Sequence, residues 1–189
     1  MKDDRMKKPM QRKTGDIWIF AAALVGAVVM GWLMTASPIG QPKLLGYGDE
    51  SGMLDMRLFY TVPEAKAMLS SLGAEGTRVY TIIELIDYGF IVCLAYVMSR
   101  VFQFLTNRLG SPEKLQKLHW FAYGRGIVDI LENTSILLAM HVFTGQNWVL
   151  GVAGILTLLK WLFLLLYLLA AVSAVIYKVC SLVKIKSRL

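Results

Sequence analysis

Four apolar runs separated by polar connections dominate this chain, at about Ile17–Ala36, Thr81–Gln103, Trp120–Phe143 and Trp148–Tyr177. Each approaches or exceeds the roughly 20 residues that a helix needs to cross about 30 Å of hydrocarbon. The last is longer than one crossing requires, so it tilts or projects past the bilayer at its Lys178 end. The pattern predicts an all-α, four-transmembrane-helix bundle forming one membrane domain over 17-178. Polar tails flank it at 1-16 and 179-189.

The connection 37-80 divides in two. From Ser37 to Asp55, Pro38, Pro42 and glycines at 40, 46, 48 and 52 predict an irregular loop. From Thr61 onward a helix is expected. Thr61-Val62-Pro63-Glu64 places a capping hydroxyl, a first-turn proline and a glutamate three residues after the cap. Ala65, Met68, Leu69 and Leu72 recur at helical spacing, and Gly73 is the expected stop. The product is a short extracytoplasmic amphipathic helix, either a connector lying on the membrane surface or a lid over the bundle mouth.

Composition agrees with the pattern, since 56% hydrophobic and 17% charged residues exclude an ordinary soluble domain of this length. The basic residues are unevenly placed. Lys2, Arg5, Lys7, Lys8, Arg12 and Lys13 precede the first run. Arg108, Lys114 and Lys117 lie in the second connection, and Lys178, Lys184, Lys186 and Arg188 follow the last run. On the opposite side, Lys43, Arg57, Lys66 and Arg78 are offset by Asp49, Glu50, Asp55, Glu64 and Glu75. Both termini are therefore expected in the cytoplasm. The net charge of +7 reads as topology and attraction to anionic headgroups, about 1 kcal/mol per juxtamembrane cation, rather than as a nucleic-acid surface. The first run exceeds the roughly 7–15 residues of a signal-peptide core, and Pro38 spoils the cleavage site, so a retained anchor in a bacterial inner membrane is expected. Cys93 and Cys180 fall at different depths and suggest no disulfide.

Chemistry enters through ions inside the runs. Asp87 interrupts the second, Asp129, Glu132 and Asn133 the third, and Lys160 the fourth. Charged groups at membrane depth cost roughly 2.5–3.5 kcal/mol each on insertion scales and usually face a bundle interior, where they pair or perform a task. Arg125, Asp129, Glu132 and Asn133 recur at i, i+4, i+7 and i+8 and share one helix face. At 1.5 Å rise per residue, Glu132 and Lys160 lie about 16 and 18 Å below the outer ends of their spans, so they can meet. Glu84 shares a face with Asp87 and is expected nearer the interface, where water solvates it. Setting Glu84 aside, Asp87, Asp129 and Glu132 outnumber Lys160 and Arg125 by one. Either the network only sets helix register, or an acid without a cationic partner exchanges protons or binds a ligand.

The segments Leu72-Gly-Ala-Glu-Gly-Thr-Arg-Val-Tyr80 and Asp129-Ile-Leu-Glu-Asn133 resemble the Leu-Gly-x-Glu-Gly-x-Arg-x-Tyr and Asp-x-x-Glu-Asn motifs of four-span bacterial membrane proteins of uncharacterised activity. The resemblance covers roughly residues 58–177. It implies the architecture and no activity.

Other features point to anchoring or packing. His119 and His141 sit at opposite ends of the third run and lack metal-ligand spacing. Trp18, Trp120 and Trp148 read as interfacial anchors, and Gly26, Gly31, Gly151 and Gly154 as sites of close helix approach. No cofactor motif is present. Three functions fit. A small bundle binds a lipid or amphiphile at its acidic centre, as an accessory subunit of a membrane complex or alone. A proton-coupled transporter of small cationic substrates would need to dimerise to enclose a pathway. A lipid-modifying enzyme would use Glu132 or Asp129 as general acid or base and Asn133 to orient the substrate. The first is favoured, because no complete catalytic set is present.

Overall fold

The structure, a computed structural model, describes residues 14–47 and 52–186. The basic residues of 1–13, together with Asp49, Glu50 and Arg188, lie outside the described residues. Helices α1 (Thr14–Thr35), α2 (Gln41–Leu44), α3 (Val62–Ser71), α4 (Gly73–Leu109), α5 (Glu113–Gln116), α6 (Trp120–His141) and α7 (Asn147–Lys186) make up the fold, with single 3-10 turns at Leu54–Met56 and Lys117–His119. No strand occurs among the described residues. Three helices are long and apolar enough to cross a membrane, over Gly15–Thr35, Gly73–Leu109 and Asn147–Val183. The 22 residues of α6 match the length of a span, but Arg125, Asp129 and Glu132 interrupt them.

Neighbouring long helices run antiparallel. α1 packs on α4, α4 on α6, and α6 most extensively on α7. Hydrogen bonds between Thr81 and His141 (2.8 Å) and between Tyr88 and Thr134 (2.8 Å) pin the α4–α6 register. Small side chains let backbones approach: a Cβ on Gly126 would stand 3.1 Å from Ala95, and one on Gly26 would stand 3.1 Å from Cys93. Large apolar side chains cover the outside along whole helices, among them Trp18, Val25, Leu85, Val92, Ile127, Leu165 and Val172. A face this apolar is matched by hydrocarbon and not by water.

α3 begins where its capping sequence predicts. The Thr61 hydroxyl accepts from the Glu64 backbone N–H, and the Glu64 carboxylate accepts from the Thr61 N–H at 2.7 Å. The Thr61 N–H, and the Thr61 hydroxyl at 2.8 Å, both donate to the Glu64 carboxylate and hold it below its ordinary range. Lys66 donates to the Gly145 carbonyl at 3.1 Å, tying α3 to the α6–α7 turn.

Gly73 stops α3, as expected, but the chain does not then return to a loop. Its φ of +61°, easy only for glycine, redirects the backbone straight into α4. That helix therefore starts eight residues before the expected Thr81 and continues six beyond Gln103. α7 likewise outruns its expected end at Tyr177 and reaches Lys186. At 1.5 Å per residue α4 and α7 are about 55 and 60 Å long, so both extend well past one hydrocarbon thickness.

The segment before α3 departs most from expectation. Rather than standing clear as an exposed loop, residues 53–60 run along α7 and bury Met53, Leu54, Asp55 and Tyr60. The contacts descend α7 in order: Val62 faces Gly151, the Tyr60 carbonyl faces Gly154, and the Asp55 and Arg57 carbonyls reach Lys160 and Trp161. Non-helical backbone this deep needs donors for its carbonyls. Lys160 Nζ supplies one to Asp55 at 2.7 Å, and Trp161 Nε1 supplies another to Arg57 at 2.8 Å. On the other flank the Leu54 N–H donates to the Tyr80 hydroxyl at 3.1 Å.

Candidate functional site

Asp129, Glu132 and Asn133 face inward from α6 and are 3%, 0% and 0% exposed. Thr157 and Lys160, one turn apart on α7, meet them. Lys160 Nζ lies 2.9 Å from Asp129 and 2.7 Å from Glu132, so it pairs with both acids rather than choosing one. The Thr157 hydroxyl donates to the other Glu132 oxygen at 2.5 Å. Arg125 approaches Asp129 at 3.1 Å from the preceding turn of α6. From α4, the Asp87 carboxylate accepts from the Asn133 amide at 2.6 Å. Four elements thus converge on one centre: α4, α6, α7 and the inward segment.

The six expected residues Asp87, Asp129, Glu132, Asn133, Lys160 and Arg125 are brought together. Glu84 is the exception to its expectation. It is not near solvent but 0% exposed, and neither carboxyl oxygen has a hydrogen-bond partner in the structure. α4 extends beyond it by more than two turns, and residues 53–60 cover the face that would otherwise be open. Sequence reasoning also missed Asp55, Thr157, Tyr60, Tyr80 and Trp161. Thr157 was findable, since it stands three residues before Lys160 on the same helix face. Asp55 was not, because it lies in a stretch with no periodicity.

Removing one charge from this centre should have opposite effects at two glutamates. Glu132→Gln loses charge on an acid that touches Lys160 and accepts from Thr157. Hydrogen bonds to charged groups contribute about 1.5–3 kcal/mol, so a clear fall in Tm is expected. Glu84→Gln relieves a buried carboxyl that has no partner, so its Tm should hold or rise. Thermal unfolding of both variants in the same detergent checks the pair, and an equal fall in both contradicts the assignment.

A cavity of about 140 Å³ adjoins the ionic centre. Gly31, Met34 and Thr35 of α1, Asp87 and Phe90 of α4, Arg125 and Asp129 of α6, and Lys160 and Trp161 of α7 line it, together with Gln41, Met53, Asp55 and Met56. Polar and apolar walls therefore meet in one space, as small-molecule sites require. Among the described residues, no three His, Cys, Asp or Glu side chains are arranged to hold a metal ion. His141 bonds Thr81, while His119 bonds the Gln116 carbonyl.

No protein-family model, curated protein or solved structure matches the chain.

Proposed function

We propose that the chain is a four-span membrane protein, with both termini cytoplasmic, that binds a lipid or other amphiphile at its buried polar centre. The observation that carries this reading is the cavity between α1, the inward segment, α4, α6 and α7. Its inner wall is ionic, whereas Met34, Met53, Met56, Phe90 and Trp161 surround the remainder. Such a division suits a molecule with a polar head and an apolar tail.

The four-span topology rests on the alternation of the long helices and on the shielding of α6. Asp129 and Glu132 pair with Lys160 of α7, and Arg125 pairs with Asp129, which reduces the cost of facing lipid. Thr35 and Met56 are cavity-lining residues that remain exposed, so the entrance lies beside α1 and opens sideways.

Native mass spectrometry of protein purified in mild detergent tests binding directly. Wild type is expected to retain one amphiphile, and Thr35→Trp, which fills the entrance from an exposed position, should lose it with little change in Tm. An empty wild-type chain, or an unchanged complement in the variant, would refute the proposal.

A further inference from the structure

We infer that the cavity selects a zwitterionic headgroup carrying a protonated primary amine beside a phosphate, presented from the lipid phase between α1 and the segment Met53–Arg57. This rests on the amphiphile-binding reading and adds the chemical class of the ligand.

The class follows from which polar atoms are already engaged. Asp129 is fully committed, because Arg125 and Lys160 both reach it. Lys160 is committed to Asp129, Glu132 and the Asp55 carbonyl. Two acids on the wall are differently placed. Asp87 accepts only the neutral Asn133 amide, and Asp55, 8% exposed, has a carboxyl oxygen, Oδ1, with no hydrogen-bond partner. Neither has an ion pair among the described residues, so the wall presents acceptors matched to an N–H-bearing cation.

Arg125 supplies the complementary half. Its Nη2 holds Asp129 at 3.1 Å, while Nη1 is buried and donates to nothing in the structure. A guanidinium on the cavity lining with one arm paired and the other without a partner suits a phosphate oxygen. Acid acceptors and an arginine donor in the same cavity therefore match a headgroup with both signs of charge. A quaternary ammonium brings no N–H for Asp55 or Asp87. An anionic glycerol headgroup satisfies Arg125 alone and sets its charge near two acids.

Size and surroundings place most of each tail outside. At about 30 Å³ per water in the liquid, the cavity of about 140 Å³ matches a small headgroup and the start of its tails, with the rest of the acyl chains outside. Met56 of the lining is 58% exposed, and Leu58 and Phe59, which follow it along the chain, are 68% and 55% exposed and offer those chains an apolar surface. α1 packs against α4 and presents Thr35 to the outside.

The test is the full chain reconstituted in bilayer discs of equal parts phosphatidylethanolamine, phosphatidylcholine and phosphatidylglycerol, then released for native mass spectrometry. Wild type should retain the ethanolamine lipid by about tenfold over either other, the scale of one charge-assisted hydrogen bond. Asp55→Asn should bring that ratio close to one, while Glu113→Gln, on the exposed α5, should leave it unchanged. Should Asp55→Asn fail to fold, competition on wild type replaces it. Soluble phosphoethanolamine should displace the retained lipid, and phosphocholine or glycerol phosphate should not. Retention without headgroup preference, or preference for choline or glycerol, overturns the ligand class and leaves amphiphile binding intact. Phosphoethanolamine bound to a chain that retains no lipid supports the headgroup chemistry and overturns the lipid source. A chain that retains neither overturns the binding reading itself.

Discussion

Lys160→Met is expected to lower stability by about 3–5 kcal/mol, the cost of removing one partner from a buried ionic group. The ammonium pairs with Asp129 and Glu132 and donates to the Asp55 carbonyl. Methionine preserves most of the side-chain volume but leaves Glu132 with only the Thr157 hydroxyl, Asp129 with only Arg125, and the inward segment without its deepest anchor. Denaturant unfolding in detergent measures the loss. The companion variant Lys160→Met/Glu132→Gln should recover most of it, because Asp129 keeps Arg125 and a neutral side chain at 132 needs no counter-charge. A single variant as stable as wild type would mean that the ammonium does not hold these acids. A single loss with no recovery would place the cost in packing rather than in charge.

Gly154→Leu should produce the second large effect, at a position that has no side chain to lose. A Cβ there would stand 3.2 Å from the Tyr60 carbonyl and 3.6 Å from the Tyr60 ring, so the remaining leucine atoms can be accommodated only by lifting residues 57–60 off α7. Overpacking of this kind costs about 1–3 kcal/mol. Displacement also threatens the Lys160 and Trp161 bonds to the Asp55 and Arg57 carbonyls, each worth roughly 1 kcal/mol or more. Hydrogen exchange at Leu54, whose N–H is bonded to Tyr80, reads the displacement locally and should accelerate in the variant. Gly151→Ala is the control, because its Cβ would meet only Val62 at an ordinary 3.8 Å. Unchanged protection of Leu54 in Gly154→Leu would show that the inward segment is held elsewhere.

Much of the centre was legible before the fold was known. On α6, Arg125, Asp129, Glu132 and Asn133 had to share a face once the run was helical, and depth arithmetic placed Lys160 level with them. Helical period and rise are local properties, so they survive without tertiary information. The same locality explains why the Thr61–Glu64 cap and the Gly73 stop could be located. Glu84 was misplaced for the opposite reason: its solvation depended on what covered it. That cover is residues 53–60, which follow a glycine- and proline-rich connection and whose path has no periodic signature.

The chain's order of apolar runs and charges determined its helical class, the long apolar helices α1, α4 and α7, and an ionic face on α6, because burial pattern and helix geometry act within one element. Only the tertiary structure decided that Asp55 joins the centre, that Glu84 is sealed, and that a cavity with an acidic wall and an arginine arm opens beside α1. Each of these depends on where residues 53–60 travel. Their path is set by complementarity between two carbonyls and the Lys160 and Trp161 donors more than 100 positions away along the chain.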